Sequence, residues 1–186
     1  MQHFVTEERV IEEVKRSIAE TLRTDAAAIT PEMSLIRDLD AQSLDFLDIN
    51  YRLEQAFGIR TARHLVLEHI EEMFGEGSAI DDNGQLTGKA IELLKIRLGD
   101  HPNELKPGTD VEEVSALITV KMLARGAMEI LNTLPPSCTR CSNGDWRTED
   151  GTHIRCGSCG AAAVFTTGDD LIKEWLQKVQ EERRLF

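Results

Sequence analysis

Residues 38 to 59 read DLDAQSLDFLDINYRLEQAFGI, and from Ser43 onward the stretch is apolar at helical spacing on two opposite sides. At about 100° per residue, one apolar stripe is longer and carries two aromatic rings, and a shorter one lies roughly opposite. A single helix cannot turn both stripes toward one core, so we assign the longer stripe to the core and the shorter one to the surface. The core stripe is Phe46, Ile49, Leu53, Ala56 and Phe57, and the surface stripe is Leu44, Leu47 and Tyr51.

The surface stripe is called the docking face here, and mostly acidic groups border it. On the helical wheel its neighbours are Asp48, Glu54 and Gln55, with Asp45 and Arg52 further round. An exposed apolar strip with an acidic border is typical of a surface that binds a basic protein partner. The sequence therefore predicts partner contact through Leu44, Leu47 and Tyr51, with Asp45 and Asp48 steering partners toward the helix.

Ser43 stands where this helix is expected to begin, and its residue type is compatible with two roles. As the helix N-cap, the side chain would accept a backbone N–H and contribute about 1 kcal/mol without any chemistry. As an attachment point, a phosphodiester on the hydroxyl would meet free N–H groups and the positive end of the helix dipole, which favour an anion.

The residues around Ser43 resemble the acyl carrier protein family. Its pattern is an amphipathic first helix, a long loop ending in Asp-Leu-Gly-x-Asp-Ser-Leu, and a second helix ending near Glu-x-x-Phe-Gly-Ile. The matching stretches are 38–44 and 54–59, with Gln42 in place of the acid before the serine and Asp40 in place of the glycine. The resemblance covers roughly residues 5 to 75 and implies that Ser43 carries a 4'-phosphopantetheine arm.

The same resemblance implies a carrier and not an enzyme, with no catalytic residues. The chain would hold an acyl group as a thioester and present it to enzymes of fatty-acid, lipid or polyketide biosynthesis. The implied partners are a phosphopantetheinyl transferase, whose product is a phosphoprotein, and acyl-transfer or chain-modifying enzymes with basic docking patches. The alternative from another class is a non-catalytic scaffold or adaptor that keeps the fold without the arm.

The composition of the chain bears on which kinds of partner and which location are expected. The chain has 186 residues, of which 41% are hydrophobic, and 33 acidic against 21 basic residues give a formal charge of -12. That charge disfavours nucleic acid and anionic membrane surfaces as partners. The sequence has neither an apolar run of the roughly 18 to 20 residues that span a bilayer nor a signal-like N-terminus, so we expect a cytoplasmic protein without a membrane span.

Four cysteines form two C-x-x-C pairs that are separated by 14 residues, and these are Cys138, Cys141, Cys156 and Cys159. The spacing is typical of tetrahedral zinc sites, in which each pair directs two sulfurs at one ion. Asp150-Gly151 supplies a hairpin turn between the pairs, and Gly160 permits the close backbone approach that such a metal-binding turn requires after the second pair. The segment resembles the zinc-ribbon family over about residues 136 to 166. Iron in a rubredoxin-like site and a redox dithiol pair are the alternatives to zinc.

Because all four ligands of such a site come from the protein, no position is left for a substrate water, so we expect a structural metal and not a catalytic one.

The expected fold is mainly α, an acyl-carrier-like helical bundle with extra helices, followed by a small β zinc ribbon and a C-terminal helix. Pro135-Pro136 marks the boundary before the ribbon. The expected domains are 1–134 with an insertion around 76–108, then the ribbon at 135–167 and the final helix at 168–186. Apolar periodicity predicts helices at 6–22, 43–58, 62–74, 86–98, 109–131 and 169–184.

Two of these helices carry further expectations. Thr109 and Glu112 have the spacing of a capping box, and the helix after them is read as the extended last helix of the carrier bundle, with a separate interaction helix as the alternative. His64 and His69 are expected in one helix but on different faces, exposed or half-buried, without a third ligand.

Overall fold

The computed structural model describes residues 4–99, 105–148 and 150–186, and it is mainly helical. The helices are α1 (Glu7–Leu22), α2 (Ser43–Phe57), α3 (Val66–Phe74), α4 (Gly88–Leu98), α5 (Val111–Ser115), α6 (Val120–Leu131) and α7 (Gly168–Arg183). A 3-10 turn covers Ala26–Ala28, and two short strands are β1 (Trp146–Thr148) and β2 (Ile154–Cys156). The expected fold class, a helical protein with a small β ribbon and a C-terminal helix, is confirmed.

The chain forms two compact units. The first is Met1–Thr61 with Thr119–Gly168, and the second is Ala62–Ile118 with Asp169–Phe186. The ribbon segment thus lies in the same compact unit as α1, α2 and α6. The division into 1–134, 135–167 and 168–186 as functional segments stays a prediction, and residues 1–3, 100–104 and 149 of it lie outside the described residues.

In the first unit, α2 and α6 pack on α1. Thr6 is the N-cap of α1, and its hydroxyl accepts a hydrogen bond from the Arg9 amide. Gly58 is the C-cap of α2; it takes the left-handed conformation at φ 66°, and its amide donates to the Glu54 carbonyl. The apolar faces of these three helices meet in one core that includes Val10, Val14, Ile18, Ile49, Leu53, Phe57, Val120, Ala124 and Ile130.

The expectation of one helix over 109–131 is wrong, because the structure has two helices there. Helix α5 is capped by Asp110 and not by Thr109. Helix α6 has its own N-cap, Thr119, whose hydroxyl accepts a hydrogen bond from the Met122 amide. The first amides of α6 donate to loop carbonyls, since Val120 N–H binds Met33 O at 3.0 Å. The apolar residues of the two helices serve two different cores, so their shared periodicity in the sequence concealed the break.

In the second unit, α3, α4, α5 and α7 contribute to one core. Helix α3 begins at Val66, later than expected, and α4 begins after Thr87, whose hydroxyl caps the Ala90 amide at 3.2 Å. The buried members of this core are Leu67, Ile70, Ala79, Leu86, Ala90, Ile91, Leu93, Leu94, Leu105, Val114, Leu117, Leu176 and Val179.

Within the second unit, the carboxylate of Glu71 organises the turn after α3. Its oxygens accept backbone hydrogen bonds from Gly77 at 2.6 Å, Ala79 at 2.7 Å and Ile80 at 2.9 Å. Burial raises the pKa of the Glu71 carboxyl, but these amide donors outweigh it and leave the pKa below its ordinary value. The charged form is therefore the one that the fold stabilises.

We expect Glu71→Gln to lower the free energy of unfolding of the second unit by about 1–2 kcal/mol at neutral pH. The reason is that the glutamine NH2 group is itself a donor and would face the backbone N–H groups that now donate to the carboxylate. A depressed folded-state pKa contributes stability above the unfolded pKa, about 4.3, and the contribution is lost as pH falls through the folded value. Denaturant unfolding followed by hydrogen exchange of α4 measures this difference. Glu68→Gln, on the exposed side of α3, is the control, and an equal loss for both variants would contradict the assignment.

His69 corrects another expectation, since its side chain is buried at 1% relative exposure instead of exposed or half-buried. Its Nε2 lies 2.9 Å from Asp169 Oδ1 at the start of α7. Asp169 also accepts from the Arg63 and His64 amides, and His64 precedes α3 instead of lying in it. The burial of His69 depends on a carboxylate 100 residues away in the chain.

Across the three described segments, no helix combines the length and the apolar character needed to cross a membrane.

Candidate functional site

Ser43 is the first residue of α2, and its side chain is exposed. The N-cap is Gln42, in an extended conformation at φ -101° and ψ 168°, and its amide donates to Asp45 Oδ2 at 2.7 Å. The expectation that Ser43 itself stands at the N-cap is therefore wrong by one position. Among the described residues the Ser43 hydroxyl has no hydrogen-bond partner, so it is accessible at the end of the helix where backbone N–H groups favour an anion.

The loop before Ser43 is held by its own backbone. Asp40 adopts the left-handed conformation at φ 55°, and its carbonyl accepts from the Gln42 side-chain amide at 3.2 Å. Ala41 is buried, and its N–H donates to the Leu35 carbonyl at 2.8 Å. Aspartate is one of the few non-glycine types that tolerate this conformation, so Asp40 meets the backbone requirement where the acyl carrier pattern has glycine.

The docking face lies on the surface of the first unit. The relative exposure is 77% for Leu44, 59% for Leu47 and 56% for Tyr51. The opposite stripe lies inside, with Ile49, Leu53 and Phe57 each 1% exposed and Phe46 and Ala56 half-buried. The assignment of the two stripes from the sequence agrees with these exposures.

The acidic border of the docking face is largely engaged within the chain. Asp48 Oδ2 accepts from Arg52 Nε at 2.8 Å and from the Thr21 hydroxyl at 2.7 Å, and the Arg52 contact in particular lowers the pKa of the Asp48 carboxyl. Glu54, expected at the border, is buried, and its Oε1 accepts from the Thr61 amide and hydroxyl at 3.0 Å. Apolar contact area is thus a larger part of this surface, and unpaired acidic charge a smaller part, than the sequence suggested.

The four cysteines meet at one point of the first unit. Their Sγ atoms all lie within 4.8 Å of one another, with 3.7 Å between Cys138 and Cys159 and 3.5 Å between Cys141 and Cys156. Four sulfurs at about 2.3 Å from a tetrahedral zinc ion would be about 3.8 Å apart, so the arrangement fits such an ion. Four thiolates held this close repel one another, and a divalent cation between them removes that cost.

Two matching turns position the sulfurs. The residue after each C-x-x-C pair has a left-handed backbone, with φ 57° at Ser142 and φ 70° at Gly160. The amide of each donates a 2.8 Å hydrogen bond to the carbonyl of the first cysteine of its pair. The backbone amides of the first cysteines, Cys138 and Cys156, donate 2.8 Å hydrogen bonds to the carbonyls of Asn143 and Ala161, respectively. The close backbone approach expected at Gly160 is not found, because no atom beyond its chain neighbours lies within 4 Å of the position that a Cβ would take there. Gly160 instead supplies a left-handed backbone, as Ser142 does at the first pair.

The environment of the thiols favours ionisation at one cysteine and opposes it at another. The Arg140 amide, 3.4 Å from Cys138 Sγ, holds the pKa of the Cys138 thiol at about 7. The Asn143 amide lowers the pKa of the Cys141 thiol, but the neighbouring Cys156 and Cys159 sulfurs outweigh it and raise that pKa to about 12. The donors expected of a thiolate site are therefore already in place around Cys138.

The strands β1 and β2 pair antiparallel with Trp146 opposite Cys156, and Asp150-Gly151 lies in the connecting turn, as expected. Two residues of the hairpin that the sequence did not single out contact other parts of the unit. Trp146 Nε1 donates to the Pro135 carbonyl at 2.8 Å, and His153 Nε2 lies 2.9 Å from the Gln55 carbonyl at the end of α2. The only sequence signal for His153 is its position three residues after Asp150, whose carboxylate contacts the other ring nitrogen at 2.7 Å.

Comparison with known proteins locates the carrier pattern on the same residues. A family model described as a phosphopantetheine attachment site matches residues 12–71. Acyl carrier protein AcpXL of Brucella melitensis is 49% identical over 86 residues, which are 44% of this chain and 88% of that protein. AcpXL of Rhizobium etli is 54% identical over 43 residues, 23% of this chain and 47% of that protein.

The acyl carrier protein of Helicobacter pylori strain G27 is 42% identical over 50 residues, which are 27% of this chain. The chain spans 64% of the length of that relative. No solved structure matches the chain. An exposed serine at the start of α2, inside the matched phosphopantetheine attachment segment, and identity along most of an acyl carrier protein lead to one conclusion. The chain belongs to the acyl carrier protein family.

Proposed function

We propose that Ser43 carries a 4'-phosphopantetheine arm and that the chain holds an acyl group on it as a thioester. The observation that carries this proposal is the exposed, unpaired hydroxyl at the first position of α2, within the matched segment 12–71. The phosphodiester would lie at the free N–H groups of the helix, where an anion is stabilised. Acyl carrier proteins are non-catalytic carriers, so we assign no catalytic residue to the chain.

The partners in this proposal are a phosphopantetheinyl transferase and acyl-transfer or chain-modifying enzymes of fatty-acid, lipid or polyketide biosynthesis in the cytoplasm. They would dock on Leu44, Leu47 and Tyr51, whose exposure supports the proposal. Asp45 and Asp48 would attract basic patches on these enzymes, although both carboxylates already accept hydrogen bonds within the chain. Apolar contact would therefore contribute more of the affinity than charge.

Truncation of the docking face tests this surface separately from the arm. We expect Leu47→Ala to lower kcat/KM of a phosphopantetheinyl transferase for the chain by about tenfold, the typical effect of losing a central apolar contact. The free energy of unfolding should change by less than about 0.5 kcal/mol, because the side chain is exposed. Val164→Ala removes another exposed apolar side chain, in the ribbon segment, and should leave kcat/KM unchanged. Equal kinetics for the two variants would exclude Leu47 from the docking face.

At the cysteine cluster we propose a structural zinc ion held by Cys138, Cys141, Cys156 and Cys159. The distances between sulfurs and the amide donors around Cys138 support it. Zinc would supply the positive charge that holds four thiolates together, and with four protein ligands it would leave no position for substrate. Elemental analysis of the purified chain distinguishes zinc from iron.

The intact mass of the chain purified from its own cell tests the carrier proposal, because both the arm and the acyl group add to the measured mass. A mass increased by a phosphopantetheinyl group, with or without an acyl group, is the expected result. The scaffold or adaptor alternative predicts the unmodified mass, also after coexpression with several phosphopantetheinyl transferases. An unmodified mass in all these samples would refute the carrier proposal.

A further inference from the structure

The ribbon hairpin contacts the end of helix α2 through one histidine. His153 Nε2 lies 2.9 Å from the Gln55 carbonyl, and His153 Nδ1 lies 2.7 Å from Asp150 Oδ2. Both ring nitrogens thus face oxygen acceptors, and the N–H on Nε2 donates to the helix. Asp150 fixes the ring further, since its Oδ1 accepts from the amides of Thr152 and His153. The histidine is held by the hairpin and aimed at α2.

The Gln55 carbonyl is a group that needs such a partner. It belongs to the last turn of α2, where the carbonyls have no intrahelical donor. The chain closes that turn through Gly58, whose amide binds the Glu54 carbonyl at 2.9 Å, and His153 supplies a donor for the carbonyl of the next residue. The hairpin therefore supplies one hydrogen-bond partner to the last turn of the helix that carries Ser43 and the docking face.

Buried apolar side chains of the hairpin and of the end of α2 lie next to the contact between His153 and Gln55. Ile154 and Trp146 of the hairpin are buried at 5% and 7% exposure, and Phe57 at the end of α2 is buried at 1%. Phe57, Gly58, His153 and Ile154 border a gap of only about 20 Å³, which is little more than the space of one water. The end of α2 and the hairpin thus share the contact between His153 and the Gln55 carbonyl, and their apolar side chains line the same narrow gap.

The hairpin itself has too few residues to hold this position alone. Its strands have three residues each, and an isolated two-stranded hairpin is at best marginally stable in water. Cys156 is the last residue of β2, Ile154 lies on the same side of that strand, and His153 comes directly before it. Whatever fixes the Cys156 sulfur therefore also fixes the residues that contact α2.

We propose that the ribbon is a metal-dependent brace for the C-terminal turn of α2, in which thiolate coordination of a metal ion positions His153 and Ile154 against Gln55 and Phe57. The brace lies at the far end of α2 from Ser43, about 18 Å along the helix from Gln55 at 1.5 Å per residue. It therefore leaves the attachment point and the docking face accessible. The metal state of the ribbon sets the stability of the helix that presents both.

Hydrogen exchange of the full chain tests the brace. Zinc-loaded protein is compared with protein stripped by a chelator under reducing conditions, and zinc content is measured in each sample. We expect stripping to accelerate exchange of the last-turn amides of α2 by about tenfold, as local opening of that turn becomes easier. Amides of α4, in the second unit, serve as the internal reference and should not change. Unchanged exchange at the end of α2, with faster exchange in β1 and β2, would overturn the proposal.

His153→Ala tests the same brace with the four cysteines intact, and it decides the case if stripping unfolds the whole first unit. We expect this variant to keep one zinc per chain while exchange at the end of α2 rises. His64→Ala, an exposed histidine of the second unit, is the matched control and should leave that exchange unchanged. A zinc-loaded His153→Ala chain with normal exchange at Gln55 to Gly58 would show that the histidine does not brace the helix.

The brace does not depend on the arm, and the same samples separate the two proposals. Phosphopantetheine transfer to each sample is followed by intact mass. Metal-dependent exchange in a chain that never gains mass would refute only the carrier proposal. A chain that gains mass normally but shows no metal-dependent exchange in α2 would refute only the brace.

Discussion

Replacing Ser43 with alanine is expected to abolish the mass increase that a phosphopantetheinyl transferase and coenzyme A produce on the wild-type chain. No other described residue combines an exposed serine hydroxyl with the first turn of α2, so the loss should be complete. The fold should be unaffected, because Gln42 and not Ser43 is the N-cap, and Asp45 satisfies the Gln42 amide. We expect the free energy of unfolding to change by less than about 0.5 kcal/mol.

The combination of these two results separates attachment from capping. If Ser43 were the N-cap, its replacement by alanine would lower the free energy of unfolding by about 1 kcal/mol, whether or not the arm is attached. Ser115→Ala, at the end of α5 in the second unit, is the matched control and should be modified as fully as wild type. Persistent modification of Ser43→Ala would place the arm on another residue and remove the basis of the carrier proposal.

Replacing Cys156 with serine is expected to abolish zinc binding at the proposed site and to unfold the ribbon. A serine hydroxyl is a poor substitute for a thiolate, and structural zinc contributes on the order of 10 kcal/mol in small metal-dependent modules. Zinc affinity should fall by more than about a hundredfold, since even loss of an outer-shell partner costs about 10- to 100-fold. Cys156 is buried and pairs with Trp146 across the hairpin, so the strands should separate as well.

Zinc content and the fluorescence of Trp146 measure this change directly. The second tryptophan, Trp175, lies in the second unit, so Trp175→Phe in the background isolates the Trp146 signal. Ser158→Ala, an exposed residue of the same C-x-x-C turn, is the control and should retain one zinc. A Cys156→Ser chain with full zinc content would show that the ion is not held by these four sulfurs.

Features that depend on local spacing could be read from the sequence. The two stripes of α2 follow from a period that any helix has, and the exposures of Leu44, Leu47 and Tyr51 agree with them. The cysteine pairs and the Asp150-Gly151 turn likewise define the ribbon within a short segment, because ligand geometry is built into each C-x-x-C turn. Both the carrier pattern and the cysteine cluster depend on such local spacing.

Features that depend on partners distant in the chain could not be read in this way. The break between α5 and α6 arises because loop carbonyls near Met33 accept the first amides of α6, and the two helices face different cores. Glu54 is buried because Thr61 folds back to it, and His69 is buried because Asp169 meets it from α7.

The sequence by itself therefore determined which residues form the carrier pattern, the exposed apolar stripe of α2 and the cysteine cluster, since each depends on local helical or turn geometry. The tertiary structure alone decided where helices stop, which acids stay available and that the ribbon touches the end of α2 through His153. The physical reason is that hydrogen bonds and burial between distant segments outweigh local preference wherever the two compete.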